Sequence, residues 1–502
     1  MIQETVALLK AHWVLVLLLA VITHLVYNYA KGGLWRIPGP WLRGVSSLPR
    51  ILSVYNNKSH DEDIQLHRKY GNIVRLAPNL LSIADPAEIN QIYGIGTKFY
   101  KSRFYNLSTT YDDEGLVPDT FVLTDKTLHT RMKRNASNAY STNGLVQMES
   151  WINPVTERLV SKLHRQAGEP IEMSSVLKDY AMDAVFAVTF GRDFNYIEKG
   201  DILKMYSILE TVADYMAVLW PDLQQFGQIP WIHKFLLGRP IIAKLMFGSG
   251  GGDKEMMQLA VSQIESAKQN SSEGGPLTFL QRLLLNQAKD PSSINDREIM
   301  THAFGNISAG SDTTAIALRS ILYHILKDRR VYDKLYDEFR VLDTPVQFTD
   351  ANKLPYFAAV IQEALRLHPS VGMMLARLVP AGGADLCGFH IAEGTEVGIN
   401  PWVLQRDPEV FPDPESFRPE RWLPEETDDN QRKLMNRSFF TFGHGAHTCS
   451  GRWISLMEMK KVIPSLMLRF EMTLVSEEKY GFKNRWFTPQ HGLCVKFIEK
   501  AP

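Results

Sequence analysis

Cysteine is scarce in this chain, which has three cysteines among 502 residues: Cys387, Cys449 and Cys494. Thiols that are so few and so scattered exclude a disulfide framework and are typical of a reducing, cytosol-facing location. The sequence has no CxxC pair and no His/Cys cluster, so nothing in it indicates structural zinc. Each cysteine therefore has to be interpreted from its own neighbours in the sequence.

The chain also lacks an excess of charge of either sign. It carries 55 basic and 55 acidic residues, a formal net charge of zero, which excludes a bulk electrostatic attraction to nucleic acid. No low-complexity linker, internal repeat or shift in composition divides the sequence. We therefore expect one large domain and no nucleic-acid partner, although the length exceeds that of an ordinary single domain.

One long apolar run is present, at residues 11–29. In a helix, 19 residues rise about 28 Å, close to the ~30 Å hydrocarbon core of a bilayer. Lys31, Arg36 and Arg43 follow the run, so the positive-inside rule places the rest of the chain in the cytosol. A cleaved signal peptide is the alternative, but the run is long and no small-residue cleavage site precedes the basic segment.

These features divide the chain into three parts. We expect a membrane anchor at residues 1–30, a basic, proline-rich hinge at 31–45 that includes Arg-Ile-Pro-Gly-Pro, and a globular domain at 46–502. Strand patterns at 73–76 and 80–83, separated by a Pro-Asn turn, predict a small hairpin. Helical patterns dominate from 151 to 285.

Cys449 lies in a glycine-rich loop, residues 442–451, which reads Phe-Gly-His-Gly-Ala-His-Thr-Cys-Ser-Gly. Glycine tolerates positive φ, so this cysteine loop can fold tightly and pass close to a flat ligand. The helical pattern that follows would direct its N-terminal N–H groups at the sulfur and favour a thiolate. A thiolate beside the ring of Phe442 suits a metal ligand, whereas a buried structural cysteine is the alternative.

A second unusual segment lies inside a predicted long helix. Asn295 and Glu298 form a capping-box pattern, and apolar residues recur to Leu326, giving about 45 Å of helix. Within it, residues 309–314 read Ala-Gly-Ser-Asp-Thr-Thr. A helical glycine costs about 1 kcal/mol against alanine, and a buried Asp312 costs more unless it is paired or functional. Such choices indicate a site, with an ordinary polar kink as the alternative.

Together these motifs resemble those of the cytochrome P450 superfamily. The cysteine loop, the 309–314 segment, Glu-Ala-Leu-Arg at 363–366 and Phe-Arg-Pro-Glu-Arg-Trp at 417–422 occur in family order, and the resemblance covers essentially the whole chain. It is closest to microsomal, filamentous-fungal members of secondary metabolism such as the pisatin demethylase-like group. The implied fold is a single, mainly α haem domain with a minor β region. An N-terminal transmembrane helix would precede it in the endoplasmic reticulum, with the haem domain facing the cytosol.

The resemblance implies haem b (iron protoporphyrin IX) as cofactor, with Cys449 as the axial ligand of the iron. His447 stands where most members have an arginine that pairs with a haem propionate. His129 and Lys133, four residues apart on one helix face, would also bind propionates, although the usual Trp and Arg are replaced there. The residues implied to hold haem are Cys449, His447, His129, Lys133, Arg377, Phe442 and Gly443.

Two further groups follow from the resemblance. Glu363, Arg366 and Arg421 would form a buried triad that locks the segment before the cysteine, a structural role. Residues 101–121 and a strand over 371–377 would line the substrate chamber. The candidate contacts are Phe104, Phe121, Ala309, Met373 and Met374, with plain core packing as the alternative for the methionines. Glycine-rich loops at 248–252 and 271–276 fit either a lid or surface connections.

The implied activity is that of a haem-thiolate monooxygenase. An NADPH-cytochrome P450 reductase would dock on the basic proximal face and supply electrons, and O2 would be the co-substrate. Asp312, an acid next to the Thr313 hydroxyl, would form a catalytic proton relay, and Gly310 would leave room for oxygen. The product would be an oxidised small hydrophobic molecule of fungal secondary metabolism, such as a mycotoxin, polyketide or terpenoid. The alternatives are a haem-thiolate isomerase or dehydratase that does not use O2, and a non-enzymatic haem-binding membrane protein.

Overall fold

The protein structure is a computed structural model that describes residues 12–108, 111–112, 115–140, 142–202, 205–206, 210, 261–268 and 276–500. The glycine-rich segments 248–252 and 271–275 lie outside these described residues. The prediction that they form either a lid or surface connections is therefore not tested. The described part of the chain is mainly helical, with short strands gathered in small sheets, as the resemblance implied.

The α-helices differ widely in length, from one turn to the 32 residues of Asp296–Lys327. In chain order they are Trp13–Ala30, Trp41–Val45, Leu48–Tyr55, Ser59–Tyr70, Ile89–Tyr93, Lys126–Ala136, Thr142–Arg165, Met173–Phe190, Tyr196–Lys199, Phe279–Lys289, Asp296–Lys327, Arg329–Phe339, Phe348–Ala351, Pro355–Leu367, Pro401–Leu404, Asp429–Ser438 and Arg452–Arg469. Short 3-10 helices lie at Lys31–Arg36, Pro86–Glu88, Arg103–Ser108, Ser137–Tyr140, Pro419–Trp422 and Gly445–His447.

The strands are short. They are β1 (Ile73–Ala77), β2 (Leu80–Ile83), β3 (Tyr100–Lys101), β4 (Tyr111–Asp112), β5 (Gly115–Leu116), β6 (Pro170–Glu172), β7 (Arg377–Leu378), β8 (Ala384–Leu386), β9 (Phe389–Ile391), β10 (Glu396–Ile399), β11 (Phe470–Leu474), β12 (Gly481–Phe482), β13 (Gln490–His491) and β14 (Cys494–Glu499). The largest sheet has the order β1-β2-β10-β7-β3, and it contains the predicted hairpin, with Ile73 opposite Ile83.

The strand expected over 371–377 is much shorter than predicted. Only Arg377 and Leu378 join the sheet, pairing with β10 and β3, while Val371 makes an isolated bridge to Phe487. The intervening backbone bonds to two different partners, because Gly372 N–H donates to Trp486 O at 2.8 Å and Leu375 N–H donates to Ile399 O at 3.1 Å. The segment therefore crosses between neighbours instead of forming one ladder.

The N-terminal apolar helix Trp13–Ala30 carries no buried residue, and Trp13–Arg36 is the one candidate membrane span among the described residues. Its last carbonyls are capped from the domain, since Arg75 donates to Asn28 O at 2.7 Å and to Tyr29 O at 2.9 Å. A cation at a helix C-terminus satisfies its unpaired carbonyls and its dipole. Arg75 therefore joins the apolar helix to the sheet.

The helical core is built around Asp296–Lys327, hereafter the long helix. Its capping box at Asn295 and Glu298 is confirmed, and it packs most extensively on the helix Met173–Phe190. Gly310 allows this approach, because a Cβ there would lie 3.0 Å from Val185 Cγ2. The glycine thus has a packing reason in addition to the predicted room for oxygen.

Candidate functional site

The cysteine loop is a tight turn that only glycine permits at two positions. Gly443 and Gly445 have φ of 69° and 62°, in the region that residues with a Cβ avoid. A Cβ on Gly445 would also lie 2.0 Å from the carbonyl oxygen of Tyr93. Cys449 N–H closes the loop by donating to Phe442 O at 2.9 Å. The sequence therefore holds Cys449 at a defined position over the start of the helix Arg452–Arg469.

The Cys449 sulfur receives hydrogen bonds from the backbone N–H groups of Gly451 and Arg452. Burial raises the pKa of the Cys449 thiol, and these two donors with Lys133 lower it. The donors act in the predicted direction, although burial outweighs them, and a metal cation bound at the sulfur would further favour the thiolate. The side chain is solvent-accessible although surrounding protein desolvates it, from which we infer that it faces a cleft inside the protein.

Three cations converge beside this cleft. Lys101 and Arg377 are directly opposite each other on β3 and β7, and both are buried. Lys133 donates to Ala446 O at 2.8 Å and Thr448 O at 2.6 Å, inside the cysteine loop. Burial lowers the pKa of Lys101 well below its usual value, and Arg377 and Lys133 lower it further. Asp119 is one anion near Lys101. Like charges gathered in this way favour further anions, so the site fits a ligand with carboxylates.

Two predicted histidines contact each other at this place. His447 Nδ1 lies 3.1 Å from His129 Nε2, and their ring centroids are 4.2 Å apart. Burial, followed by the nearby cations, lowers the pKa of His129 to about 3 and that of His447 to about 2. Both rings are therefore neutral at neutral pH, so neither histidine adds positive charge to the site. Sequence reasoning missed Lys101, because only the sheet register places it opposite Arg377.

The long helix presents its unusual residues in two directions. Ala309 is exposed to the cleft, and Thr313 Oγ1 donates to Ala309 O at 2.7 Å. Asp312 points toward the helix Met173–Phe190, where its carboxylate lies 3.2 Å from Lys178 Nζ. The buried acid is thus paired, which the sequence could not reveal because Lys178 is far away along the chain. Thr314 Oγ1 donates to Ser455 Oγ at 3.1 Å and ties this helix to the one after Cys449.

The predicted structural residues form a complete buried network. Glu363 accepts from Arg366 Nε and Nη2, both at 2.8 Å, from Arg421 Nε at 3.0 Å and from the Trp422 indole at 2.9 Å. Gln405, which the sequence did not single out, extends this network. Its side chain donates to Arg366 O at 3.0 Å and accepts from Phe440 N–H at 2.7 Å. The network thereby reaches the segment that leads into the cysteine loop.

The candidate substrate contacts lie in two environments. Phe104, Met373 and Met374 are fully buried in one apolar cluster with Trp486. Phe121 is 40% exposed, with its ring 5.3 Å from that of Tyr105, and Ala309 is exposed. Of the five candidates, Phe121 and Ala309 therefore expose surface that a ligand could contact, whereas Phe104, Met373 and Met374 are buried.

These features define a class of protein. A mainly helical domain directs one cysteine sulfur into an internal cleft, surrounds the cleft edge with cations suited to carboxylates, and places an acid and a hydroxyl on the helix beside it. This arrangement fits a metal-bearing, flat cofactor with anionic edge groups, held by a single thiolate.

Comparison with known proteins identifies the family. The family model for cytochrome P450 matches residues 38–494. A cytochrome P450 monooxygenase of Aspergillus terreus is 33% identical, over 87% of this chain and 90% of that protein. The cytochrome P450 monooxygenase cicH of Emericella nidulans is 33% identical, over 90% of this chain and 91% of that protein. The chain belongs to the cytochrome P450 family.

A longer relative shares the same region. The cytochrome P450 monooxygenase mpaDE' of Penicillium brevicompactum is 31% identical over 96% of this chain but only 57% of its own length. Family membership implies haem iron and the use of O2, and these fungal relatives place the chain among fungal members. The finer assignment to the pisatin demethylase-like group stays a prediction.

Proposed function

We propose that this protein is a microsomal haem-thiolate monooxygenase that oxidises a small hydrophobic molecule in fungal secondary metabolism. An NADPH-cytochrome P450 reductase would provide the electrons. The single observation that carries the proposal is the Cys449 sulfur, which receives two backbone N–H bonds and faces an internal cleft. The fungal relatives named as monooxygenases support the reaction class. The activity of the whole protein, its substrate and its partners are part of this proposal.

Haem b fits the residues that line the cleft. Cys449 would bind the iron, and Lys101, Lys133 and Arg377 would neutralise the two propionates. His129 and His447 would add hydrogen bonds, and Phe442 and Gly443 would lie against the ring. When bound, the haem would supply the chemistry that reduces O2 and oxidises the substrate.

The protein's own contribution to the reaction is proton delivery and exclusion of water. The Thr313 hydroxyl, which now donates to Ala309 O at 2.7 Å, would turn to donate its proton into the cleft. Asp312 would replace that proton after its carboxylate, now 3.2 Å from Lys178 Nζ, turns away from the lysine and takes up a proton from solvent water. Lys178 keeps a second carboxylate partner, Glu210, at 2.8 Å, so the cation is not left unpaired in this step.

The apolar helix Trp13–Ala30 would span the endoplasmic reticulum membrane once, with the catalytic domain in the cytosol. Its apolar surface, which contains no buried residue, and the cations that follow it support this placement. Arg75, which caps its last carbonyls, would set the angle between the anchor and the domain.

The deciding experiment is the carbon monoxide difference spectrum of reduced microsomes that contain the full chain. We expect the strongly red-shifted band of thiolate-ligated haem, and we expect Cys449→Ala to abolish it. Cys387→Ala and Cys494→Ala are matched controls that should keep the band. A band at the position of histidine-ligated haem, or its survival in Cys449→Ala, would contradict the proposal.

A further inference from the structure

A second glycine in the long helix has a neighbour that the proposed chemistry does not use. Gly305 lies one turn before Ala309, and glycine is unfavourable in a helix interior. A Cβ on Gly305 would lie 3.3 Å from Asp119 Oδ2, closer than most side chains tolerate. The glycine therefore gives the Asp119 carboxylate space to lie directly against the helix.

The carboxylate is held in place by the loop that carries it. Asp119 Oδ1 accepts a hydrogen bond from Phe121 N–H at 2.5 Å, and Val122 N–H is a second backbone donor. Lys101 Nζ fastens the same loop by donating to Thr120 O and Phe121 O, both at 2.7 Å. The position of the acid is thus built by several contacts, and the residue is only half-buried.

Helix geometry places this acid on the cleft side. Positions four apart differ by about 40° around a helix axis, so Gly305, Ala309 and Thr313 lie along one side. Ala309 is exposed although the long helix runs through the core, from which we infer that this side faces the internal cleft, and the exposed Phe121 is two residues from the acid. Asp119 is therefore a polar group at the wall of a mostly apolar chamber, the arrangement by which small-molecule sites orient a ligand.

We propose that Asp119 is a specificity-determining residue whose carboxylate accepts a hydrogen bond from a hydroxyl group of the substrate. The substrate class is then an apolar molecule that carries an alcohol or phenol at a distance from the carbon to be oxidised. This inference rests on the proposed function, since it assigns a ligand group to the same chamber.

A neutral hydroxyl fits better than an ammonium group. Lys101 lies close enough to Asp119 to lower the pKa of its carboxyl, and Lys133 and Arg377 lie close enough to Lys101 to lower the pKa of that lysine. Burial raises the pKa of the Asp119 carboxyl, and Lys101 with the two backbone donors lowers it. An added cation would meet repulsion from these groups, whereas a hydroxyl gives the partly desolvated carboxylate a donor without adding charge.

The test measures binding, not turnover, on the full-length haem-loaded protein. The probes are N-alkylimidazoles of graded chain length. Each is compared with two derivatives of the same chain length, its hydroxyl partner, which bears a terminal hydroxyl, and its amine partner, which bears a terminal amine. Binding of imidazole to the haem iron shifts its absorption band, so each titration gives a Kd. We expect one chain length at which the hydroxyl partner binds best, and Asp119→Ala should weaken that partner about tenfold. The plain alkyl probe should change less than about twofold.

Two further variants sharpen the result. Asp119→Asn keeps an acceptor and the backbone contact, so we expect an intermediate loss for the hydroxyl probe alone. Asp125→Asn, in the same loop, keeps the cap on Leu128 N–H and should change no Kd. The inference would be overturned if Asp119→Ala weakened the binding of the plain and hydroxyl probes equally. It would also be overturned if the unsubstituted protein bound the amine probe most tightly.

A failure of the proposed function can be distinguished from a failure of the inference about Asp119. Absence of the thiolate carbon monoxide band in the unsubstituted protein would overturn both conclusions. A normal band, together with imidazole binding that is indifferent to the hydroxyl, would overturn only the role of Asp119.

Discussion

Single residues contribute to this site through the charge that they carry and through the space that they leave free. Burial opposes the charge of Lys101 and Lys133, which lie near Arg377, and it keeps His129 and His447 beside them neutral. Glycine leaves space for a close neighbour at three positions. Gly305 lies against the Asp119 carboxylate, Gly310 against Val185 of the neighbouring helix, and Gly445 against the Tyr93 carbonyl group.

Gly445→Ala tests the residue scale. The new methyl group would meet the Tyr93 carbonyl at 2.0 Å in a backbone with φ of 62°, so the cysteine loop must deform. We expect loss of the thiolate carbon monoxide band and destabilisation of more than about 2 kcal/mol by urea unfolding. Gly451→Ala is the matched control, because its Cβ would meet nothing within 4 Å; equal damage in the two variants would contradict this account.

At the scale of elements, the molecule joins its parts through buried polar groups. Arg75 joins the N-terminal helix to the sheet, Gln405 joins the helix Pro355–Leu367 to the segment before the cysteine loop, and Thr314 joins the long helix to Ser455. Such groups are favourable only when every partner is present. The predicted triad is the clearest case.

Glu363→Gln is the test at this scale. The substitution leaves the buried Arg366 and Arg421 without a compensating charge, for which we expect a loss of about 3–5 kcal/mol in the free energy of unfolding. Asp333→Asn removes the acid of an exposed pair with Arg329 and should cost less than about 1 kcal/mol. Urea unfolding measures both values, and similar losses would show that Glu363 does not hold the network together.

On the scale of the whole molecule, three histidines from distant segments meet on the far side of the helical core. His60, His324 and His368 line one cleft with Trp402 and Phe482. Burial lowers the pKa of His324 and of His368 to about 3, and it also lowers that of His60. These rings are therefore neutral in the folded protein at neutral pH.

The resulting pH dependence has a definite sign. The folded pKa values lie below the ordinary value of 6.5, so the unfolded chain binds protons first as the pH falls. The stability that depends on neutral histidines is complete above pH 6.5 and decreases toward pH 3, by up to about 1.4 kcal/mol per pH unit for each ring. His324→Phe keeps the stacking on Phe417, whose ring centroid is 4.4 Å from that of His324. This substitution should reduce the slope of the unfolding free energy against pH by the contribution of one histidine ring. Urea unfolding between pH 7 and 5 measures it; an unchanged slope would contradict the assignment.

Sequence spacing by itself determined the local features of this protein. The capping box of the long helix and the hairpin of β1 and β2 are as predicted. The contacts of Glu363 with Arg366 and Arg421 are those that the family resemblance implied. Periodicity and motif spacing are enough for these features, because their defining residues are near in sequence or belong to a known motif.

Tertiary structure alone decided which distant groups meet. The register of β3 on β7 places Lys101 against Arg377, helix packing pairs Asp312 with Lys178, and a loop brings Asp119 to Gly305. The same packing sets the pKa of His447, because burial and cations from other segments determine it. A sequence records residue types in order, whereas the charge and contacts of a site depend on distances between segments that only the folded chain brings together.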